Sequence, residues 1–271
     1  MDSWVDGQPA DALSLKDRGL AYGDGLFETI AVRNGRALLL DRHLARLAEG
    51  CLRLKIAADP DLIQREVLAY AAAMGEGVLK LILTRGDGLR GYAPDLSASP
   101  RRILQGNPAA AYPVVNADEG VRLFPCATRL SRQPLLAGLK HLNRLEQVIA
   151  RSEWQDADHA EGLMLDLAGR VIEGVFSNLF LVRNGVLITA DLKRCGVAGV
   201  MRAELLFQAE SSGIPTQIVD ITLEQLQWAD EVFVCNSVYG VWPVRAYAAL
   251  SWPVGPLTRK LQTIARALLD A

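Results

Sequence analysis

Two Asn-Gly pairs, Asn34-Gly35 and Asn184-Gly185, constrain this chain more than any other feature. Each stands between short strand-like runs, residues 27–33 and 36–40 around the first, 179–183 and 186–189 around the second. Asn-Gly suits the two-residue turn whose twist matches that of paired strands, so each pair predicts an antiparallel hairpin. Asp6-Gly7 predicts another near the start, and Ala168-Gly169 one between 162–166 and 170–172. A chain with this many hairpins builds mixed or antiparallel sheets.

Helical patterns separate the hairpins. Leu44, Leu47, Cys51 and Leu54 fall on one apolar face, with Asp41 as the expected cap. Asp59-Pro60 pairs a capping carboxylate with proline at the first turn, and Ile63, Val67, Tyr70, Ala71 and Met74 follow as a buried face. A helix is expected over 141–156, with Leu142, Leu145 and Ile149 on one side. Further helices are expected from Gly199 to Gly213, after Thr222, and from Pro256 along Leu257, Leu261, Ile264 and Leu268. The run 78–84 is apolar on nearly every position and reads as a central strand. The Pro/Ala-rich stretch after Gly106 suggests a division into a small α/β domain at 1–107, a linker at 108–118 and a larger domain at 119–271.

Charge and cysteine usage remove several function classes. Lys and Arg number 29 against 31 Asp and Glu, a net of -2, with no basic cluster, so no nucleic-acid partner is expected. Cys51, Cys126, Cys195 and Cys235 lie far apart and suit free thiols in a reducing compartment. His43, His141 and His159 lack the spacing of a metal site. The N-terminus has no signal-peptide pattern and no apolar run is long enough to span a bilayer. The expectation is a cytoplasmic protein with no membrane partner and a small-molecule substrate.

The segment Gly138-Leu139-Lys140-His141-Leu142-Asn143-Arg144-Leu145-Glu146 is the candidate for chemistry. On the residues alone, Lys140 is either a surface lysine or a covalent nucleophile for the aldehyde of pyridoxal 5'-phosphate. The second role requires company. Glu173, at the end of a strand-like run, could hold a protonated pyridine nitrogen or form an ordinary salt bridge. A phosphate needs N–H groups at a helix start, which Gly196 to Met201 could supply; Asn236 and Ser237 could add side-chain donors and Arg46 a charged fork.

These segments resemble the fold-type IV pyridoxal-phosphate enzymes, the family of the branched-chain and D-amino-acid aminotransferases, over nearly the whole chain. The resemblance implies a mixed α+β and α/β, two-domain fold of the D-amino-acid-aminotransferase kind and a homodimer. It puts the cofactor on Lys140, Glu173, Arg46, the backbone N–H groups of Val200 and Met201, and Asn236 with Ser237. Tyr22-Gly23-Asp24-Gly25-Leu26-Phe27-Glu28-Thr29 is similar to the family's pocket loop; it places Tyr22 and Phe27 beside the substrate, and Thr29 against the leaving group or the lysine. Two segments are more similar to the family's aminodeoxychorismate lyase branch than to its aminotransferases: Lys140 to Glu146, which has no tyrosine near Arg144, and Thr84 to Tyr92, where Arg90 and Tyr92 are candidate substrate contacts. Arg90 would clamp a carboxylate. The branch implies elimination, with Lys140 moving the proton and Thr29 assisting. An aminotransferase acting on D- or branched-chain amino acids is the alternative.

Overall fold

The computed structural model describes residues 2–109 and 111–270. Ala110, inside the stretch expected as a linker, lies outside them. The chain divides into two compact units, one of Met1–Ala110 with Leu139–Asn143, the other of Ala111–Gly138 with Arg144–Asp270.

The first unit runs β1 (Trp4–Val5), β2 (Gln8–Pro9), α1 (Arg18–Tyr22), β3 (Gly25–Arg33), β4 (Arg36–Ala37), α2 (Leu40–Leu54), α3 (Pro60–Met74), β5 (Gly77–Thr84) and β6 (Arg101–Asn107). Its six-stranded sheet has the order β2-β1-β6-β5-β3-β4, and β5 is interior, as its apolar run requires. Asn34 and Gly35 turn with φ of 50° and 74°, the left-handed pair that Asn-Gly favours. Along β3, Leu26, Ile30 and Val32 point into the core with Leu47, Cys51, Ile63, Val67 and Tyr70 from the helices. Asp59 caps α3 by accepting from Leu62 N–H at 3.1 Å. Asp41 does not cap α2. The residue before that helix is Leu39, itself left-handed at φ 53°, and Asp41 lies within the first turn, where its charge favours the helix dipole. The expected strand at 36–40 is accordingly cut to Arg36–Ala37.

The second unit runs α4 (Val115–Asp118), β7 (Val121–Leu130), α5 (Leu145–Ser152), β8 (His159–Asp166), β9 (Val171–Gly174), β10 (Asn178–Arg183), β11 (Val186–Ala190), α6 (Val200–Ser211), β12 (Thr216–Val219), α7 (Leu223–Gln227), β13 (Glu231–Asn236), β14 (Gly240–Tyr247), β15 (Leu250–Ser251) and α8 (Pro256–Leu269). Its sheet follows β12-β11-β10-β13-β14-β7-β8-β9, and β9 pairs back onto β10, closing a barrel-like circuit. β7 pairs in parallel with both β8 and β14, and the hairpins pair antiparallel, so the sheet is mixed. Thr222 and Gln225 form the expected capping box. In α8 the buried stripe is Thr258, Leu261, Gln262, Ala265 and Leu269, turned slightly from the expected Leu257-Leu261-Ile264-Leu268 line.

The largest departure concerns residues 141–156. The helix there spans only Leu145–Ser152 and points Leu145 and Ile149 outward, Leu145 being 74% exposed. The residues before it are extended instead. In the first unit Phe27 N–H donates to Lys140 C=O at 2.9 Å, Leu142 N–H donates to Gly25 C=O at 3.0 Å, and Leu26 bridges His141. Main-chain groups committed to a strand edge cannot also make helical bonds. Leu139 is buried in the first unit's core and Asn143 donates to Gly23 C=O at 3.0 Å, so the segment is anchored at both ends.

Candidate active site

Strand alternation in β3 sorts the first unit's candidate residues. Leu26, Glu28 and Ile30 take the core side; Phe27 and Thr29 take the other, half-buried. Lys140 Nζ stands 4.4 Å from the Phe27 ring centroid, in cation–π range. Lys80, the cross-strand partner of Thr29, puts its own Nζ 5.5 Å from the same centroid. Lys80 and Lys140 therefore gather around the Phe27 ring, on the face that Thr29 shares with it. Lys80 escaped the sequence reading; its signal was a lysine interrupting the apolar run of β5 on the same face as Thr29.

Glu28 is the charge buried on the core side. Arg46, from α2, forks onto it, with Nε donating to Oε1 at 2.8 Å and Nη2 to Oε2; His43 Nδ1 lies 2.6 Å from Oε2. Burial alone would raise the Glu28 carboxyl, but the Arg46 charge and the bonds from His43 and Arg46 outweigh it and hold the group down at about 2. Burial pushes the His43 imidazole the opposite way from its Glu28 bond and wins, so the ring stays neutral, donating through Nδ1–H to the carboxylate. A carboxylate depressed from 4.5 to about 2 stabilises the fold fully above pH 4.5 and loses that stabilisation as pH falls through 2. The melting temperature is thus expected to drop between about pH 4.5 and pH 2. Glu28→Gln, which removes the carboxylate charge that the half-buried Arg46 guanidinium forks onto, should lose about 2–3 kcal/mol at neutral pH and show a flatter acid slope in the same thermal melts.

Tyr22 and Tyr92 are brought together by the first unit. Their rings lie 5.6 Å apart, Gly91 N–H donates to Tyr22 Oη at 3.1 Å, and Arg18 reaches Gly91 C=O at 3.0 Å and Tyr92 C=O at 3.2 Å. Arg18 and Arg85 share Asp24, and Arg85 also donates to the Leu54 and Lys55 carbonyls at the end of α2. Arg85 therefore serves the fold, while Arg90 is exposed and Tyr92 is 86% exposed.

In the second unit Glu173 is the penultimate residue of β9 and is 3% exposed. Its Oε2 accepts from Val197 N–H at 2.8 Å. Asn178, its cross-strand partner, donates to Val197 C=O at 2.9 Å. Gly138, two residues before Lys140 in the chain, is bridged to Val197: Gly138 N–H donates to Gly196 C=O at 2.9 Å and Ala198 N–H to Gly138 C=O at 3.0 Å. One short strand-like segment, 196–198, thus carries both the glutamate's hydrogen bond and the approach to the lysine. Gly199 then starts α6; a Cβ there would overlap Asn178 Oδ1, so only glycine fits. No side chain caps α6 and no acidic residue occupies its first turn, which leaves the Val200 and Met201 N–H groups at a positive helix end, while the Met201 side chain is core. The Asn236 amide is engaged in its own turn, accepting from Val238 N–H at 2.9 Å and Tyr239 N–H at 3.0 Å and donating to Phe176 C=O at 3.3 Å. Ser237 rides on that turn.

Within the second unit, a buried carboxylate fixed by a backbone N–H and a helix start with no side-chain cap lie on either side of the 196–198 segment. Among the described residues no group of three or more His, Cys, Asp or Glu could hold a metal. The four cysteines are buried free thiols.

The amino-transferase class IV model matches residues 25–247. The chain is 39% identical to an aminodeoxychorismate lyase of Vibrio harveyi, covering 96% of this chain and 97% of that one. It is 30% identical to a putative branched-chain-amino-acid aminotransferase of Methanocaldococcus jannaschii, over 92% and 88%. Among solved structures, a 4-amino-4-deoxychorismate lyase from Pseudomonas aeruginosa matches with TM-score 0.98 and 65% identity, covering 99% of this chain and 100% of that one.

Proposed function

This chain belongs to the class IV aminotransferase family, and on that premise we propose that it is a pyridoxal 5'-phosphate-dependent lyase converting 4-amino-4-deoxychorismate to 4-aminobenzoate and pyruvate, a step that serves folate biosynthesis. The observation that carries the chemistry is the 196–198 segment, which holds the Glu173 carboxylate through Val197 N–H and bridges Gly138 just before Lys140. The substrate is supported by likeness to lyases at 39% and 65% identity across essentially full length.

Pyridoxal 5'-phosphate, when bound, would supply a cationic ring able to draw electrons from the substrate carbon that bears the amine. Lys140 would hold the cofactor through its aldehyde. Glu173 pairs with the ring nitrogen and keeps it protonated. The Val200 and Met201 N–H groups, Ser237 and Arg46 are the residues that would hold the phosphate, and Asn236 shapes the turn that presents Ser237. With the substrate amine in place, Lys140 takes the proton from the amine-bearing ring carbon. The C–O bond on the neighbouring carbon breaks, its electron pair leaving with oxygen as enolpyruvate. Lys140 returns a proton and the product ketonises to pyruvate. The six-membered ring becomes aromatic, which makes reversal unfavourable. Thr29 hydrogen-bonds the leaving group or the lysine from the face it shares with Phe27. Lys80 adds a second cation on that face, suited to a substrate carboxylate; Arg90, Tyr92 and Tyr22 supply further substrate contacts.

Purified protein given 4-amino-4-deoxychorismate should release one pyruvate per 4-aminobenzoate formed, read by coupling to lactate dehydrogenase. If leucine or D-alanine instead converts the cofactor to its amine form while the chorismate derivative yields no pyruvate, the protein is an aminotransferase. The working species is a homodimer in the cytoplasm. Tyr22, Leu89 and Tyr92 offer exposed apolar surface to a second copy, and buried free thiols suit a reducing compartment. Sedimentation velocity should give twice the 29.5 kDa chain mass; a single monomer boundary at micromolar concentration would remove the dimer.

A further inference from the structure

Glu161 is a buried carboxylate that the chemistry above leaves unused. It lies in β8 at 0% exposure, and its partners are all neutral. Oε1 accepts from Gly162 N–H at 2.8 Å and Val175 N–H at 2.9 Å; Oε2 accepts from Ser177 Oγ–H at 2.7 Å and more weakly from Phe176 N–H at 3.3 Å. A carboxylate removed from water without a cation is costly, and burial pushes this one up to about 7 against the pull of its four donors. A side chain that only filled the barrel interior would be apolar.

Three of the four donors belong to one turn. Gly174 N–H donates to Ser177 C=O at 2.8 Å, closing the hairpin between β9 and β10. The pair at its base is Glu173 opposite Asn178. The N–H groups of Val175 and Phe176 and the hydroxyl of Ser177 all turn inward to Glu161. Gly174 has no room for a side chain, because a Cβ would overlap Ser177 Oγ and press on the Glu161 carboxyl. The turn is therefore shaped around the carboxylate, and its geometry sets the backbone from which Glu173 projects.

Resting on the reading of Glu173 as the partner of the pyridine nitrogen, we infer that Glu161 is a positioning residue: it gathers the 174–177 turn from within and thereby fixes the Glu173 carboxylate against the cofactor ring. Glu161 touches neither cofactor nor substrate. It acts through the hairpin, as Val197 N–H acts on the Glu173 oxygen from the other side.

The test is a double-mutant cycle on the holoenzyme. The rate at which pyridoxal 5'-phosphate leaves, followed by loss of its bound absorbance, is measured for wild type, Glu161→Gln, Glu173→Gln and the double variant. Release should be about tenfold faster in each single variant, and no faster in the double variant than in Glu173→Gln alone, because one residue acts through the other. The bound cofactor's absorbance maximum should move the same way in both single variants. Multiplied effects, near a hundredfold in the double variant, would overturn the inference and leave Glu161 a general stabiliser. An unchanged spectrum and release rate in Glu173→Gln would instead sink the role of Glu173, and the inference with it. Should Glu161→Gln fail to fold, Ser177→Ala removes one donor of the same carboxylate. It is expected to speed release about threefold in a wild-type Glu173 background and not at all beside Glu173→Gln.

Discussion

Lys140→Ala should yield a folded protein whose pyruvate release has fallen by at least about 10⁴-fold. The fold should survive because the segment keeps several anchors that do not involve the lysine side chain. Leu139 is in the core, Asn143 holds Gly23 C=O, and the contacts to Gly25 and Phe27 are made by main-chain atoms. What disappears is the amine 4.4 Å from the Phe27 ring, the group proposed to carry the cofactor and move the proton. Lys140→Arg separates these roles from simple charge. It keeps a cation over the ring, yet a guanidinium cannot serve as base at neutral pH, so it should be as inactive as alanine. Pyruvate release at the wild-type rate in either variant would falsify the assignment of Lys140. Unaltered thermal melts in both would locate the loss in chemistry rather than in folding.

The hairpins and helix starts were legible in the sequence; the surroundings of Lys140 were not, and the reasons are physical. Hairpins at Asn34-Gly35 and Asn184-Gly185 depend on the backbone preferences of adjacent residues, so a local reading finds them. The Asp59-Pro60 start of α3 is equally local. The 140–142 segment is not: it makes strand pairs with residues 25–27, more than a hundred positions away, and the leucines around it mimic a helical face. Leu145 and Ile149 are apolar yet exposed, so their spacing carried no burial. Arg46 could be seen as a helical arginine, but its fork on Glu28 requires knowing that α2 packs on β3. Asn236 looked like a free donor because the turn that uses its amide is set by its own next residues. Lys80 and Glu161 carry no local signal of their roles, because only the paired sheets decide which face each occupies.

Glu173→Gln should lower kcat by about 10²–10³-fold while changing KM far less, because it removes a charge and little else. The amide keeps the side chain's volume and an oxygen for Val197 N–H, which the carboxylate now accepts at 2.8 Å. It cannot favour a protonated ring nitrogen, and electrons leaving the substrate carbon then have a poorer sink. Burial lowers the Arg144 guanidinium pKa and the Glu173 charge works against that shift, so the variant should also melt slightly earlier, a cost of about 1 kcal/mol. Glu173→Asp provides the complementary case. It retains the charge but retracts it by one methylene from the proposed ring position, so activity should recover only in part. A charge role predicts the order wild type, Asp, Gln. A role limited to bracing the 196–198 segment predicts Gln above Asp, because glutamine still reaches Val197 and aspartate does not. Steady-state pyruvate assays on the three proteins, with the bound-cofactor spectrum recorded for each, decide between the two orders; Gln at full activity with an unshifted spectrum would leave Glu173 a brace for Gly138 and the lysine loop, and no more.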